Sequence, residues 1–217
     1  MLTDNAKYSR LTAVLLIVWL AISIAASKLL IFHAGSKYSA RLPIPLGLAV
    51  LLPIAFFLLW FRASQRFRQF VLSLNPTALT IAETWRIGGI TFVILQVFHI
   101  LPGVFAQPAG WGDFFIGLTA PFVALYLARP DHKNIFIAWN IAGMVDLVNA
   151  IILGVLSSTA VGVLRPSVST DAMTVLPLSL IPTFAVPLLF IVHIILIAQA
   201  MGWQGQTANP AVKAVVA

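Results

Sequence analysis

Four ionisable side chains stand in or at the edges of long apolar runs in this chain: His99, Asp113, Asp146 and His193. Ionisable groups in such surroundings are costly to keep and mark ion pathways, proton relays or ligand sites unless they serve as hydrogen-bond hubs. Asp146 is the strongest signal. At helical spacing Trp139, Gly143, Asp146, Asn149 and Ala150 share one face, which mixes small and polar groups around a carboxylate. His99 lies on a second such stripe, Trp85, Gly89, Phe92, Gln96, His99 and Gly103. His193 follows Pro182 and Pro187, which remove helical bonds to the carbonyls of Leu178 and Thr183 and leave those oxygens available. Asp113 closes Pro108-Ala-Gly-Trp-Gly-Asp113, where an acid in a helix's first turn is favoured by the dipole. Glu83 and Arg86, three residues apart, can pair near the inner end of the same helix as His99.

Two chemistries fit these groups. The first is a transporter or channel in which His99, Asp146 and His193, at staggered depths, relay protons. At ~1.5 Å per residue His99 stands about 20 Å above Arg86, with Asp146 near mid-depth and His193 below it. The second is a haem-b electron carrier with His99 and His193 as axial ligands, against which stands a difference in depth of about 10 Å. Nucleophile-elbow Gly-x-Ser-x-Gly and zinc-binding His-Glu-x-x-His motifs are absent, as are phosphate-binding glycine loops, so catalysis is not expected. The absence of cysteine excludes disulfides, thiolate metal sites and iron–sulfur clusters. A third possibility is a non-catalytic assembly, sensor or partner subunit.

The elements that must position these groups follow from composition. Of 217 residues, 60% are hydrophobic and 9% charged, where a soluble domain carries roughly 25% charged residues. Six apolar runs approach the ~20 residues needed to span a bilayer. They cover 11–33, 42–62, 78–106, 112–128, 135–157 and 174–201, and predict an all-α membrane protein: one domain over 1–217, a bundle of six transmembrane helices. Leu42-Pro43-Ile44-Pro45, Asn75-Pro76, Gln107-Pro108-Ala109-Gly110 and Arg129-Pro130-Asp131 supply breaks. Asn75 and Pro76 read as cap and first residue of the third helix. The third, fifth and sixth predicted helices are expected around the polar centre. The first two, more evenly apolar, belong at the periphery or in an oligomer contact. The glycines Gly88, Gly89, Gly103, Gly117 and Gly143 allow close helix approach.

The net charge of +7 is read as a topology signal, not as nucleic-acid binding. Lys7, Arg10, Arg62, Arg66, Arg68, Arg86, Arg129, Lys133 and Lys213 fall on one side, against Lys28, Lys37, Arg41 and Arg165 on the other. The positive-inside rule then places both termini in the cytoplasm; the expected location is the inner (plasma) membrane. The first run is read as a retained helix, with cleavage near Ala25-Ala26-Ser27 as the alternative.

The segments Trp85-Arg86-Ile87-Gly88-Gly89, Leu101-Pro102-Gly103-Val104-Phe105-Ala106, Pro108 to Asp113, Gly117 to Pro121, Trp139 to Asp146 and Ile181 to Pro187, then His193, resemble an uncharacterised family of bacterial multi-helix integral membrane proteins. The resemblance covers about half of the chain and omits the first two helices. It brings no activity, but singles out Arg86, Asp113, Asn140, Asp146 and His193 as a set. The candidate pathway is therefore His99, Asp146, His193, Gln96, Asn149, Asn140, Asp113 and Arg86, with the lipid bilayer as surroundings and a homo-oligomer as a possible assembly.

Overall fold

A computed structural model describes residues 2–33 and 44–203. Lys37, Arg41 and Lys213, and the Leu42-Pro43 break, lie outside the described residues. The described residues form seven helices and no strand: α1 (Leu2–Lys28), α2 (Ile44–Ala63), α3 (Gln65–Leu72), α4 (Pro76–Val97), α5 (Gly103–Leu127), α6 (Pro130–Leu156) and α7 (Ile181–Gly202). Six of them, all but α3, are long and apolar enough to cross a membrane. Their outward faces are apolar too: Ile17, Leu51, Leu59, Val97 and Val145 are all exposed. Soluble proteins rarely leave so much contiguous apolar surface uncovered.

Helix α4 starts as its sequence demands. Asn75 accepts a hydrogen bond from the Ala78 amide at 3.2 Å, and Pro76 occupies the first helical position. It ends earlier than the run 78–106 predicts. Pro102 forces an extended residue before it, so the helix must close upstream. His99 adopts φ 55° and the Ile100 amide bonds back to the Leu95 carbonyl at 2.9 Å, the left-handed helix stop normally given to glycine. Helix α5 then begins at Gly103, so Pro108 and Gly110, expected in a loop, lie within a helix. Pro108 is the sixth residue of this helix, so it forgoes the bond an amide there would give to the Val104 carbonyl, and the helix continues through it.

The missed helix α3 is capped by Ser64 and buries Phe67, Phe70 and Val71 while Arg66 and Arg68 stay exposed. Phe67 stacks on Trp60 at 3.8 Å between ring centroids, and Tyr8 of α1 packs on Phe70. The start of α1 therefore meets the end of α2. Likewise Lys133 at the start of α6 donates to the carbonyls of Met201 and Trp203 at the end of α7. Lys7, Arg10, Arg62, Arg66, Arg68, Arg129 and Lys133 thus belong to one end of the bundle. Between α6 and α7, Thr170 and Asp171 tie the connecting loop back onto Gly154 and Thr159.

Helices α4 to α7 pack in sequence, each against the next, and α2 lies along α7. The two carbonyls expected to be free are occupied. Leu178 accepts from the Ile181 amide at 3.0 Å, and Thr183 accepts from the Trp19 indole of α1 at 3.1 Å. The first residues of α7, Ile181–Ala185, are wound as a π-helix, and Trp19 completes the bonding that Pro187 interrupts.

Candidate functional site

Arg86 is the hub. Residues Glu83–Gly89 of α4 are wound as a 3₁₀ helix, in which side chains three apart eclipse one another. Glu83, Arg86, Gly89 and Phe92 therefore line one buried face. Close packing brings α5 against it. A Cβ on Gly117 would stand 2.3 Å from the Ile87 amide nitrogen, and one on Gly89 would stand 2.2 Å from the Asp113 Cβ. No other residue fits at either position without moving a helix.

Every nitrogen of the Arg86 guanidinium is engaged. Its Nε donates to Asp113 Oδ1 at 2.7 Å and Nη2 to Asp146 Oδ2 at 2.6 Å. Its Nη1 lies 2.9 Å from His193 Nε2 and donates to the Gly143 carbonyl at 3.3 Å. On the other side of the imidazole, Nδ1 lies 2.9 Å from Asn140 Oδ1, and Asn140 donates its Nδ2 to the Phe136 carbonyl, also at 2.9 Å. An arginine nitrogen can only donate. His193 Nε2 is therefore the acceptor in this arrangement, and the ring proton sits on Nδ1, facing Asn140.

Glu83 completes the cluster without a hydrogen bond. Its side chain is fully buried, with Oε2 3.4 Å from His193 Nε2 and 3.7 Å from Arg86 Nη1. Neither oxygen has a hydrogen-bond partner among the described residues. Buried carboxyl oxygens are rarely left so. One guanidinium therefore faces three carboxyl groups. Were all three ionised, the cluster would carry two uncompensated negative charges in a buried setting, where such charge is strongly disfavoured. Bound protons or a further cation would offset that excess. His193 Nε2, placed between Arg86 and Glu83, can accept from the first or, once protonated, donate to the second.

The candidate residues sort cleanly. Arg86, Asp113, Asn140, Asp146 and His193 come together, all in the middle third of their helices. Asp113 is not in a first helical turn but well inside α5, because that helix begins at Gly103. Asp146 and His193 grip the same guanidinium, so they are level and not staggered. His99 is elsewhere: exposed in the turn after α4. Gln96 bonds to Gln107, which also accepts from the Trp111 indole at 3.0 Å, in an outlying pair at the α4–α5 corner. Asn149 is half-buried and makes no side-chain hydrogen bond among the described residues. Trp85, assigned to the polar stripe, is 83% exposed. The depth ladder through His99 is thus replaced by a single level centred on Arg86. The haem geometry is not met either. His99 is remote from the cluster, and both His193 nitrogens already face protein partners. Among the described residues no three His, Cys, Asp or Glu side chains are grouped to hold a metal ion.

Glu83 was the site residue missed. Its i, i+3 spacing to Arg86 was visible, but an α-helical period turns Trp85 inward and leaves Glu83 off the stripe.

The match to known families decides the kinship. The chain belongs to the family defined by DUF8737, a domain of unknown function. The family model covers residues 42–201, so it takes in α2 and α3, beyond the half of the chain that carried the resemblance, and contains every member of the Arg86 cluster. No curated protein and no solved structure matches the chain.

Proposed function

We propose that this DUF8737 protein is a multi-pass membrane protein that acts as a small proton-coupled carrier, with the Arg86 cluster as its exchange site. The apolar outer faces of the six long helices support insertion in a bilayer. The gathering of Lys7, Arg10, Arg62, Arg66, Arg68, Arg129 and Lys133 at one end supports cytoplasmic termini. The carrier reading rests on one observation above all: Glu83, fully buried and without a hydrogen bond, stands within 3.4 Å of His193 in a cluster short of positive charge. A site made only for stability would pair its groups fully, since breaking or leaving open a buried charge is costly. A proton arriving at Glu83 or His193 changes how tightly Arg86 holds Asp146 and Asp113, and those contacts bind α4 to α5 and α6. Protonation is thereby linked to helix packing, which alternating access requires.

The test is proton movement into proteoliposomes carrying an entrapped pH-sensitive dye, under an imposed potential and with organic cations offered on one side. Wild-type protein is expected to move protons when a cation gradient is present, and Asp146→Asn and Glu83→Gln to abolish that movement. Identical traces from wild-type, both variants and empty liposomes across the cations tested would sink the proposal.

A further inference from the structure

Beside the cluster lies a cavity of about 370 Å³, bounded by the start of α2, the end of α6 and the start of α7. That volume falls in the range of small-molecule sites. Its walls are apolar, with Val50, Phe105, Leu147, Ile151 and Val186 among them. Two charged side chains line it among the described residues, and both are acids: Asp113 and Asp171. Asp171 stands in the loop after α6, where Thr159 holds both of its oxygens. Asp113 is different. Its Oδ1 accepts from Arg86 Nε, while its Oδ2 accepts nothing among the described residues. The cavity therefore joins an apolar body to a carboxylate that also belongs to the charge-deficient cluster.

We propose that this cavity is the substrate site and that it takes a lipophilic cation, whose apolar body fills the pocket and whose positive head lies against Asp113. The proposal rests on the carrier reading for its coupling to protons, though not for binding itself. Apolar walls favour the body by removing its surface from water. The head supplies the positive charge that the three carboxyl groups lack, and its arrival displaces a proton from the cluster. Anions of the same shape are rejected, because both charged wall groups repel them.

Tetraphenylphosphonium and tetraphenylborate make the test, being alike in size and shape and opposite in charge. Their binding to the full chain in non-ionic detergent is measured by equilibrium dialysis against protein-free micelles, with proton release followed in weak buffer. The phosphonium is expected to bind saturably and the borate not. Asp113→Asn, which keeps an acceptor for Arg86 Nε, should weaken phosphonium binding by roughly tenfold or more. Gly47 offers a second variant, for it lines the cavity and a Cβ there would meet nothing within 4 Å. Gly47→Phe fills the pocket away from Arg86 and should abolish binding even if Asp113→Asn fails to fold. Equal binding of the two ions, or undiminished phosphonium binding in a folded Asp113→Asn or Gly47→Phe protein, overturns the site. Phosphonium binding that needs Asp113 but releases no proton upholds the site and removes the proton coupling instead.

Discussion

Gly143→Ala adds one methyl group at the centre of the cluster, and its cost can be worked out. The new Cβ would stand 2.4 Å from His193 Nε2, 2.5 Å from its Cε1 and 3.1 Å from Arg86 Nη1. The imidazole must therefore move, and it is held on both nitrogens. Alanine gains about 1 kcal/mol over glycine in a helix interior. Overpacking a close-fitted site costs about 1–3 kcal/mol, and displacing a hydrogen bond to a charged group about 1.5–3 kcal/mol more. The balance is a loss of roughly 1.5–5 kcal/mol, or a fall of roughly 3–20 °C in melting temperature for a chain of this size. Gly88→Ala is the internal control, because its Cβ would meet nothing within 4 Å; that change should be neutral or slightly stabilising. Intrinsic tryptophan fluorescence of detergent-purified protein reads both. If the two variants melt together, the imidazole is not clamped against Gly143 and the site geometry is wrong.

Arg86→Met should destabilise by about 3–5 kcal/mol, since it leaves three carboxyl groups without their cation; Glu83→Gln added to it should restore part of that loss, as a double-mutant thermal melt would record. Asn140→Ala removes the partner of His193 Nδ1 and should cost about 1–3 kcal/mol by the same measurement; an unchanged melt would mean that Asn140 does not hold the ring. The purified protein, oxidised and then reduced with dithionite, should show no Soret band even from haem-supplemented cells, because His193 has no nitrogen to offer; sharp reduced α and β bands would refute this assignment of its partners.

The broad architecture was legible because apolar run length is a blunt signal. Six spans and the Asn75-Pro76 start could be read directly. The error at the third and fourth runs had a specific origin: Pro108 and Gly110 look like stronger breakers than His99, yet the chain turns at His99 to Pro102. That single misplacement had wide effects. It pushed Arg86 toward the inner end of its helix, put Asp113 in a first turn and carried His99 into the interior. The residues singled out by family resemblance lie together in space, and picking them out did not depend on helix phase. Glu83 did depend on it. Local hydrogen-bond winding is decided by how α4 packs on α5, and that information is not in the spacing of apolar residues.

The seven-residue 3₁₀ stretch of α4 is long for its type, since such runs rarely exceed three or four residues. Each residue advances about 2.0 Å and 120° there, against about 1.5 Å and 100° in an α-helix. Rewinding the stretch would shorten α4 by about 3.5 Å and rotate one half against the other by roughly 140°. Arg86 sits inside that screw, and its bonds to Asp113 and Asp146 oppose the turn. Loosening those bonds would swing Phe92 and the rest of the upper half away from the cavity wall. Charge at the centre of the bundle and the shape of the pocket beside it would then be set by one torsional movement.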